Sequence, residues 1–440
     1  MNMKFLTIVI SFLLSGVTAN VFGQETISSQ EAVAIAIKNN FGVQLAENSI
    51  RFAENNTDKR SLGYYPTVNA SVGPNTTFGG SNQKFGNGMT AETNAAFSWA
   101  VGASVNAQYN LLDPSRDLQL EQMKEILNLS NLQLRQTIEN TIIQVYNQYY
   151  NIALLSENLK AVEQALTLSR RRLERVELRA ELGQGLSIDI LNVQVDISRD
   201  SVNFLDVSQQ VENAKRDLEV ILGSALPENF NIDSSVEYNN GLSSSILAEK
   251  ALANNVNLLL SDQNQVISQY DLDLIEKINK PIIATNAGVN YNYSVSAPGS
   301  FIKTSTNSGL NLGVTLNWNL FDGGRKKVLE QNTKIAMESE SLTREQIIRE
   351  LKRDIDNSWG NYKNALYILE VEQKSLDVNF QNLDRTTDLY NRGQLTSLDF
   401  RQAQLNLLNS EVGYNNARYQ AKLIELQLMY LSGDIMSIEE

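Results

Sequence analysis

The chain has 440 residues, a formal charge of −13, and neither Cys nor His. Without those two residue types most nucleophile–base pairs and zinc sites are excluded, and the acidic balance argues against a nucleic-acid partner, because phosphate binding needs clustered Lys and Arg. Only 6 Pro point to long uninterrupted elements rather than the two or three soluble domains such a length would suggest.

The N-terminus reads MNMKFLTIVISFLLSGVTANVFGQ. Lys4 precedes an apolar run from Phe5 to Val17, and small residues follow. The expectation is a secretory signal peptide over 1–23, cleaved after Gly23, since the run is too short to span a membrane as a helix. With no Cys at the cleavage site, no lipid anchor is expected, and an oxidising compartment demands no disulfide. An exported chain without an apolar spanning helix can cross a membrane only as a β-barrel.

The remainder is written twice. AIKNN (36–40) corresponds to ALANN (251–255), and Pro66 to Pro281, at a shift of 215. YNLLDPSR (109–116) corresponds to WNLFDGGR (318–325) at a shift of 209. VYNQYYN (145–151) matches IDNSWGN (355–361), GQGLSIDILNVQ (183–194) matches GQLTSLDFRQAQ (393–404), and LG (222–223) matches SG (432–433), all at 210. So constant a register over so many residues marks an internal two-fold repeat. The halves are 24–223 and 243–433, joined by a polar linker over 224–242, with a tail over 434–440.

Each half has the same order of elements. A helix is expected at 28–62, and again at 244–279, each stopped before a proline (Pro66, Pro281). Two strands follow, about 66–78 and 95–112 in the first half and about 281–295 and 309–321 in the second. Phe97, Trp99, Val101, Val105 and Tyr109 alternate with small or polar residues, as do Leu310, Leu312, Val314, Leu316 and Trp318. Period two gives each strand one apolar and one polar face. The Gly-, Asn-, Ser- and Thr-rich stretches 79–94 and 296–308 read as loops.

Long helices are expected at 114–182 and 323–391, each roughly 100 Å long. Ile138, Ile142, Val145, Tyr149, Ile152, Leu155 and Leu159 step by three or four, as in a coiled-coil seam, and Ile348, Leu351, Ile355, Trp359, Tyr362 and Leu366 repeat the pattern. After a short turn come return helices at 187–222 and 396–432, roughly 55 Å each. Because these are half-length, 187–222 is expected to stack end to end with 244–279, and 396–432 with 28–62.

The strand-to-helix joints are Asp113, Pro114 and Arg116 in one half and Asp322, Gly323, Gly324 and Arg325 in the other. Asp at the helix start caps it, Pro suits the first helical position, and Gly-Gly lets the backbone swing. The two Arg residues read as surface groups, with a neighbouring protomer or a lipid headgroup as the alternative partner. Trp99, Tyr109, Tyr291 and Trp318 suit the aromatic belts of a membrane-spanning sheet. RRRLER (170–175) reads as a solvated helix face.

Four amphipathic strands leave open edges in lipid, and barrels start at eight strands. The chain must therefore oligomerise, with eight strands in a dimer or twelve in a trimer.

The strand end L-F-D-G-G-R, the turn sequence Y-x-x-G-x-x-(S/T)-x-x-D and the early A-x-x-N-N resemble the TolC-type outer-membrane efflux protein family over essentially the whole mature chain. The resemblance implies an α+β membrane protein: a homotrimer with a twelve-stranded β-barrel, four strands per chain, continuing into a long periplasmic α-helical coiled-coil barrel. It also implies a passive exit duct in a Gram-negative outer membrane, docked by a periplasmic adaptor (membrane fusion protein) and an inner-membrane pump of RND or ABC type.

In such a duct the turns Gly183, Gly185, Leu186 and Ser187, and Gly393, Leu395, Thr396 and Ser397, would be the periplasmic tips that meet the adaptor, besides turning the chain with Ser187 or Thr396 as caps. Asp189 and Asp399 occupy equivalent positions, where acidic side chains suit a helix N-terminus. By threefold symmetry they would ring the entrance with carboxylates that favour cations. The family's second acidic residue is replaced by Asn192 and Gln402, and its basic latch residue by Leu395. Tyr390 matches a family Tyr that holds the entrance closed, with an ordinary core or surface Tyr as the alternative reading. No nucleotide motif, cofactor or catalytic cluster is found, so energy must come from a partner. The competing readings are the outer duct of a type I protein or peptide secretion system, and a non-conducting structural periplasmic coiled-coil protein.

Overall fold

The structure is a computed structural model and describes residues 26–183, 186–227, 230–239, 241–298, 300 and 302–439. The expected signal peptide over 1–23 and the tip residue Gly185 lie outside the described residues. In chain order the elements are β1 (Thr26–Ile27), α1 (Ser29–Asn39), α2 (Phe41–Asn56), β2 (Thr67–Lys84), β3 (Thr90–Leu112), α3 (Arg116–Glu181) and α4 (Ser187–Leu222). The second half contributes β4 (Asn231–Ile232), α5 (Ser244–Asn254), α6 (Val256–Lys277), β5 (Ile282–Val295), β6 (Thr304–Asn317), α7 (Arg325–Asn391) and α8 (Ser397–Leu431). A final 3₁₀ turn occupies Ile435–Glu439. No described helix is long and apolar enough to cross a membrane.

The chain divides into two compact units. One comprises Met1–Leu45, Gln136–Asn255 and Glu350–Glu440, the other Ala46–Arg135 and Val256–Arg349.

The first unit is helical. Its main core gathers Ile142, Val145, Tyr149 and Ile152 from α3, Val33 and Ala36 from α1, Leu218 and Leu222 from α4, and Tyr419 and Leu426 from α8. These include the three-four spaced seam of the sequence. A second cluster joins Leu351, Ile355 and Tyr362 of α7 to Leu247 and Ala251 of α5 and Leu428 of α8. The linker after α4 is built into this unit. Its β4 pairs in parallel with β1, Phe230 is buried in the main core, and the Tyr149 hydroxyl donates to the Ile27 carbonyl at 2.8 Å and accepts from the Asp233 amide at 2.9 Å. Further along, the buried Glu425 carboxylate accepts from Tyr362 at 2.8 Å and from the Asn239 amide at 3.0 Å.

Two expected helices are each broken once. The span 28–62 becomes α1 and α2 with a break at Asn40, and 244–279 becomes α5 and α6 with a break at Asn255. Both asparagines leave the helix in extended conformation, with ψ of 129° and 121°. The Asn40 carboxamide oxygen accepts from the amides of Gly42 at 2.8 Å and Val43 at 3.2 Å, which starts α2. Its nitrogen donates to the Ile221 carbonyl at 2.7 Å, satisfying an orphan acceptor at the end of α4. Asn255 donates likewise to the Leu431 carbonyl at 3.0 Å, at the end of α8.

These bonds reverse the expected stacking. The end of 187–222 meets the break at Asn40, and the end of 396–432 meets the break at Asn255. Polar side-chain contacts between helix ends decide the partners, and helix length alone does not encode them.

The second unit contains a four-stranded antiparallel sheet in the order β2-β3-β5-β6, with β2 and β6 as its edges. The strand span 66–78 lengthens to Lys84, and 95–112 starts at Thr90. The stretch expected as a loop is therefore mostly paired, from Ser81↔Thr93 to Lys84↔Thr90, because its polar side chains do not prevent ladder hydrogen bonds. Only 85–89 form the turn, with Gly88 at φ +86°. β3 pairs with β5 only from Trp99 onward, so the far end of the β2–β3 hairpin extends past its neighbour. The span 309–321 becomes 304–317, which leaves Trp318 outside the strand.

Helical segments continue from this sheet and are tied by polar contacts. Gln122 donates to Asp271 at 2.6 Å, Gln263 donates to the Glu125 carboxylate at 2.7 Å, and Arg344 pairs with Asp262.

Candidate functional site: hairpin tips, joints and the sheet wall

Each helix hairpin turns through a glycine. Gly183 (φ +69°) and Gly393 (φ +74°) end α3 and α7 in the left-handed region, where a side chain would be strained. After Gly393 the chain caps α8 reciprocally. Thr396 accepts from the Asp399 amide, while the Asp399 carboxylate accepts from the Thr396 hydroxyl at 2.6 Å and its amide at 3.0 Å. Hydrogen bonds from the Thr396 side chain and then its backbone hold the Asp399 carboxyl below the usual aspartate range.

The other tip lacks that device. Leu186 stands at the N-cap of α4 with no side-chain cap bond, and Ser187 begins the helix instead of capping it. Leu178, Leu182, Leu186, Ile188 and Leu398 are exposed around the two tips, whereas Leu395 is half-buried against the Phe400 cluster. Asp189 lies in the first turn of α4, the position equivalent to Asp399.

Tyr390 is buried at 2% exposure, packed on Phe400 with ring centroids 5.1 Å apart. Among the described residues its hydroxyl has no hydrogen-bond partner. What holds the end of α7 is its backbone and ring face. Arg179 of α3 donates to the Tyr390 carbonyl at 2.5 Å and stacks 4.8 Å over the ring, and Arg175 donates to Asn391.

RRRLER is a solvated face except at Arg172: Arg170, Arg171, Glu174 and Arg175 are exposed. Arg172 is 3% exposed and pairs with Asp196. Beside it Arg401 of α8 grips Asp200 of α4 in bidentate fashion, at 2.7 and 2.8 Å, and Ser169 donates to the same carboxylate at 2.6 Å. Gln404 closes the group through Ser169 at 2.9 Å and the Ala165 carbonyl at 2.6 Å. This charged cluster was missed in the sequence, yet a signal was present. Ala165, Ser169, Arg172 and Val176 step by four, three and four, which places Arg172 on the buried stripe of α3.

At the first joint Asp113 accepts from the Ser115 amide at 3.1 Å and hydroxyl at 2.7 Å, so Pro114 and Ser115 form a turn and the helix starts at Arg116. Arg116 is not a surface group. It is 7% exposed, donates to the Asn110 carbonyl at 2.6 Å, and lies 5.1 Å and 5.5 Å over the rings of Tyr64 and Tyr109. The second joint differs. Asp322 accepts from the amides of Gly324 at 2.9 Å and Lys326 at 2.8 Å, Gly323 and Gly324 have φ of +70° and +87°, and Arg325 is exposed.

The sheet has two unlike faces. Phe97, Trp99, Val105, Val289, Leu310, Leu312, Val314 and Leu316 form an exposed apolar face. The opposite face is mostly Asn, Gly, Ser, Thr and Gln, with Ala96, Ala100, Ile282 and Ala284 among them, and residues 67–79, 95–112, 282–295 and 304–317 contain no charged residue. Trp99 meets Tyr293 edge to face at 5.7 Å, so Tyr293, rather than Tyr291, is its aromatic partner. Tyr109 sits under Arg116, and the Trp318 indole donates to the Asn279 carbonyl at 3.1 Å.

A duplicated chain of long helix hairpins attached to a sheet with one exposed apolar face and one uncharged polar face has the build of an outer-membrane channel subunit. A family model described as outer membrane efflux protein matches residues 32–224 and 247–434. The chain belongs to that family and is a TolC-type outer-membrane efflux channel, seated in a Gram-negative outer membrane and extending into the periplasm. It is similar to outer membrane protein TolC of Vibrio cholerae, with 21% identity over 337 residues, 76% of this chain and 77% of that protein. Outer membrane protein TolC of Salmonella enteritidis is 20% identical over 369 residues, 81% of this chain and 73% of the relative.

Among solved structures, the Campylobacter jejuni CmeC outer membrane channel superposes with a TM-score of 0.72 at 14% identity, covering 92% of this chain and 86% of that one. CusC gives 0.70 at 18% identity with 92% of both chains covered. The open state of the Neisseria gonorrhoeae MtrE outer membrane channel gives 0.64 at 16%, over 92% and 89%.

Proposed function

We propose that three copies of this chain close a twelve-stranded barrel and form the passive exit duct of a tripartite system that expels small molecules such as drugs or metals. The observation that carries this reading is the sheet itself. Its edges β2 and β6 are open within the chain, one face is apolar and exposed, and the other is polar and uncharged. Open edges are not stable in lipid, and closure by further copies satisfies them while turning the polar face to a water-filled lumen.

Dimensions support the placement. From Trp99 to Tyr109 the strand runs about 33 Å, or about 25 Å along the membrane normal at a tilt of about 40°, the height of an outer-membrane apolar band. Trp99 with Tyr293 then belongs to one aromatic belt, and Tyr109 with Trp318 to the other.

The helix hairpins reach into the periplasm, where exposed Leu182, Leu186, Ser187, Gly183, Gly393 and Thr396 offer the adaptor-docking surface. An inner-membrane pump supplies the energy. Asp189 and Asp399 face the entrance as carboxylate rings, and Tyr390 holds it through Arg179, which binds its carbonyl and covers its ring.

The test is single-channel recording of the purified protein in planar bilayers, with its mass in detergent measured alongside. Discrete, cation-preferring steps from a particle of three chains support the reading. A folded protein that neither trimerises nor inserts overturns it in favour of a structural periplasmic role.

A further inference from the structure

The polar face of the sheet has a pattern beyond being polar. In register across the four strands lie Thr67, Gln108, Asn286 and Gly313, then Asn69, Asn106, Gly288 and Asn311. The next rows are Ser71, Ser104, Asn290 and Gly309, then Gly73, Gly102, Asn292 and Asn307. Each of these four rows sets a glycine beside an asparagine. Side chains directly opposite on one face have Cβ atoms only about 5 Å apart. A glycine opposite leaves room for the amide to lie sideways along the wall rather than stand away from it.

The row at Gly288 is the tightest. A Cβ built there would overlap the Asn106 Oδ1 and lie 2.8 Å from the Asn311 Oδ1. Gly288 is accordingly the one glycine on this face that is buried, although the sheet around it is open. Asn106 also donates to Ser104 at 3.0 Å, which holds its amide low. Gly313 is cradled the same way by Asn286, with its oxygen 2.7 Å from the position of a Cβ.

We propose that Gly288, with the amides of Asn106 and Asn311 folded over it, sets the clearance of the barrel, and that the barrel sieves cargo by girth without regard to charge. The inference rests on the channel reading, which makes this face the lumen wall. Charge discrimination is then left to other parts of the duct, because residues 67–79, 95–112, 282–295 and 304–317 carry no charged side chain. Bulk at position 288 pushes against the far ends of two flexible side chains. Asn106 is flanked on its other side by Asn69, so its free direction is away from the sheet, into the lumen. Threefold closure repeats the intrusion three times at one level.

The absence of cysteine permits a local test that is independent of the state of the periplasmic entrance. Gln108→Cys places a single thiol on the same face, one row to the periplasmic side of Asn106. Intact cells are treated from outside with maleimides carrying polymers of graded size, and the largest that labels the protein is recorded. The expected result is a lower size limit with Gly288→Val added, a smaller drop with Gly288→Ala, and recovery when Asn106→Ala and Asn311→Ala accompany Gly288→Val. A limit that ignores position 288, or that stays low after both amides are removed, overturns the inference and leaves the channel intact. Failure of even the smallest maleimide to label Gln108→Cys, in protein correctly folded in the membrane, overturns the lumen assignment and the channel reading with it.

Discussion

Gly223 sits directly on the backbone of Asn39: a Cβ at position 223 would lie 2.8 Å from the Asn39 carbonyl carbon and closer still to its oxygen. The other half repeats the contact, where a Cβ on Gly433 would lie 2.6 Å from the Asn254 carbonyl oxygen. Both glycines are left-handed, at φ +67° and +74°. With the Asn40 and Asn255 carboxamides capping the same helix ends, each half closes its return helix on its own first helix.

Gly223→Ala and Gly433→Ala should each destabilise the protein. The left-handed backbone alone costs a non-glycine residue about 1–2 kcal/mol, and the backbone clash adds to it. Asn40→Ala should cost about 1 kcal/mol for the lost helix start and a similar amount for the unpaired Ile221 carbonyl. The rate of heat dissociation in detergent reads the loss. Variants as heat-resistant as the parent would show that the joint can spread without cost.

Arg401→Met should be severely destabilising, by about 3–5 kcal/mol, because it leaves the buried Asp200 carboxylate without its cation. Arg401→Met with Asp200→Leu should recover most of that loss, since two apolar side chains of similar volume replace the pair. The same dissociation assay separates the two. A double variant no better than the single one would assign the damage to packing rather than to the stranded charge.

Much of this architecture is written in the sequence because it rests on period. The seam residues Ile142, Val145, Tyr149 and Ile152 step by three and four and are buried, and the odd positions of 97–111 alternate onto one face. What period does not encode is which helix end meets which. The partners of α4 and α8 are chosen by Asn40 and Asn255 and by Gly223 and Gly433, single residues acting over long sequence separation. Both pairs of short motifs were visible in the repeat at nearly the same shift, but nothing local says that AIKNN touches LG. The tip shows the same limit. Asp399 with Thr396 is legible as a capping box, whereas the pairing of Arg172 with Asp196 and of Arg401 with Asp200 needs three helices in place. The burial of Arg116 is not legible locally, because its place between Tyr64 and Tyr109 depends on a segment about fifty residues upstream.

Arg179→Ala together with Arg175→Ala should loosen the entrance. These two side chains tie α3 to Tyr390 and Asn391 at the end of α7 by hydrogen bonds, and neither variant touches the caps that form the turns. The expected outcome is a larger unit conductance in planar bilayers and greater sensitivity of expressing cells to bulky antibiotics. Conductance equal to the parent would mean that the apolar cluster around Phe400, rather than the arginines, keeps the hairpins together.

The cation preference of the pore should be insensitive to pH through the physiological range. Asp399 is held below the ordinary aspartate range by the Thr396 hydroxyl and amide, so its folded-state pKa lies below the unfolded value of about 3.9. Its capping contribution is therefore complete above that unfolded value and is lost as pH falls through the lower, folded one. Asp399 therefore stays ionised through the physiological range, and the preference should fade only as pH falls below the unfolded aspartate value. Asp399→Asn keeps acceptors for the cap while removing the charge, and should weaken the preference at every pH. Reversal potentials under a salt gradient measure both effects. A preference that already declines between pH 7 and 5 would point instead to a carboxyl with a raised pKa. Glu411, farther along α8, is such a group, because burial pushes its carboxyl up. In that case selectivity would reside deeper in the duct than the tip.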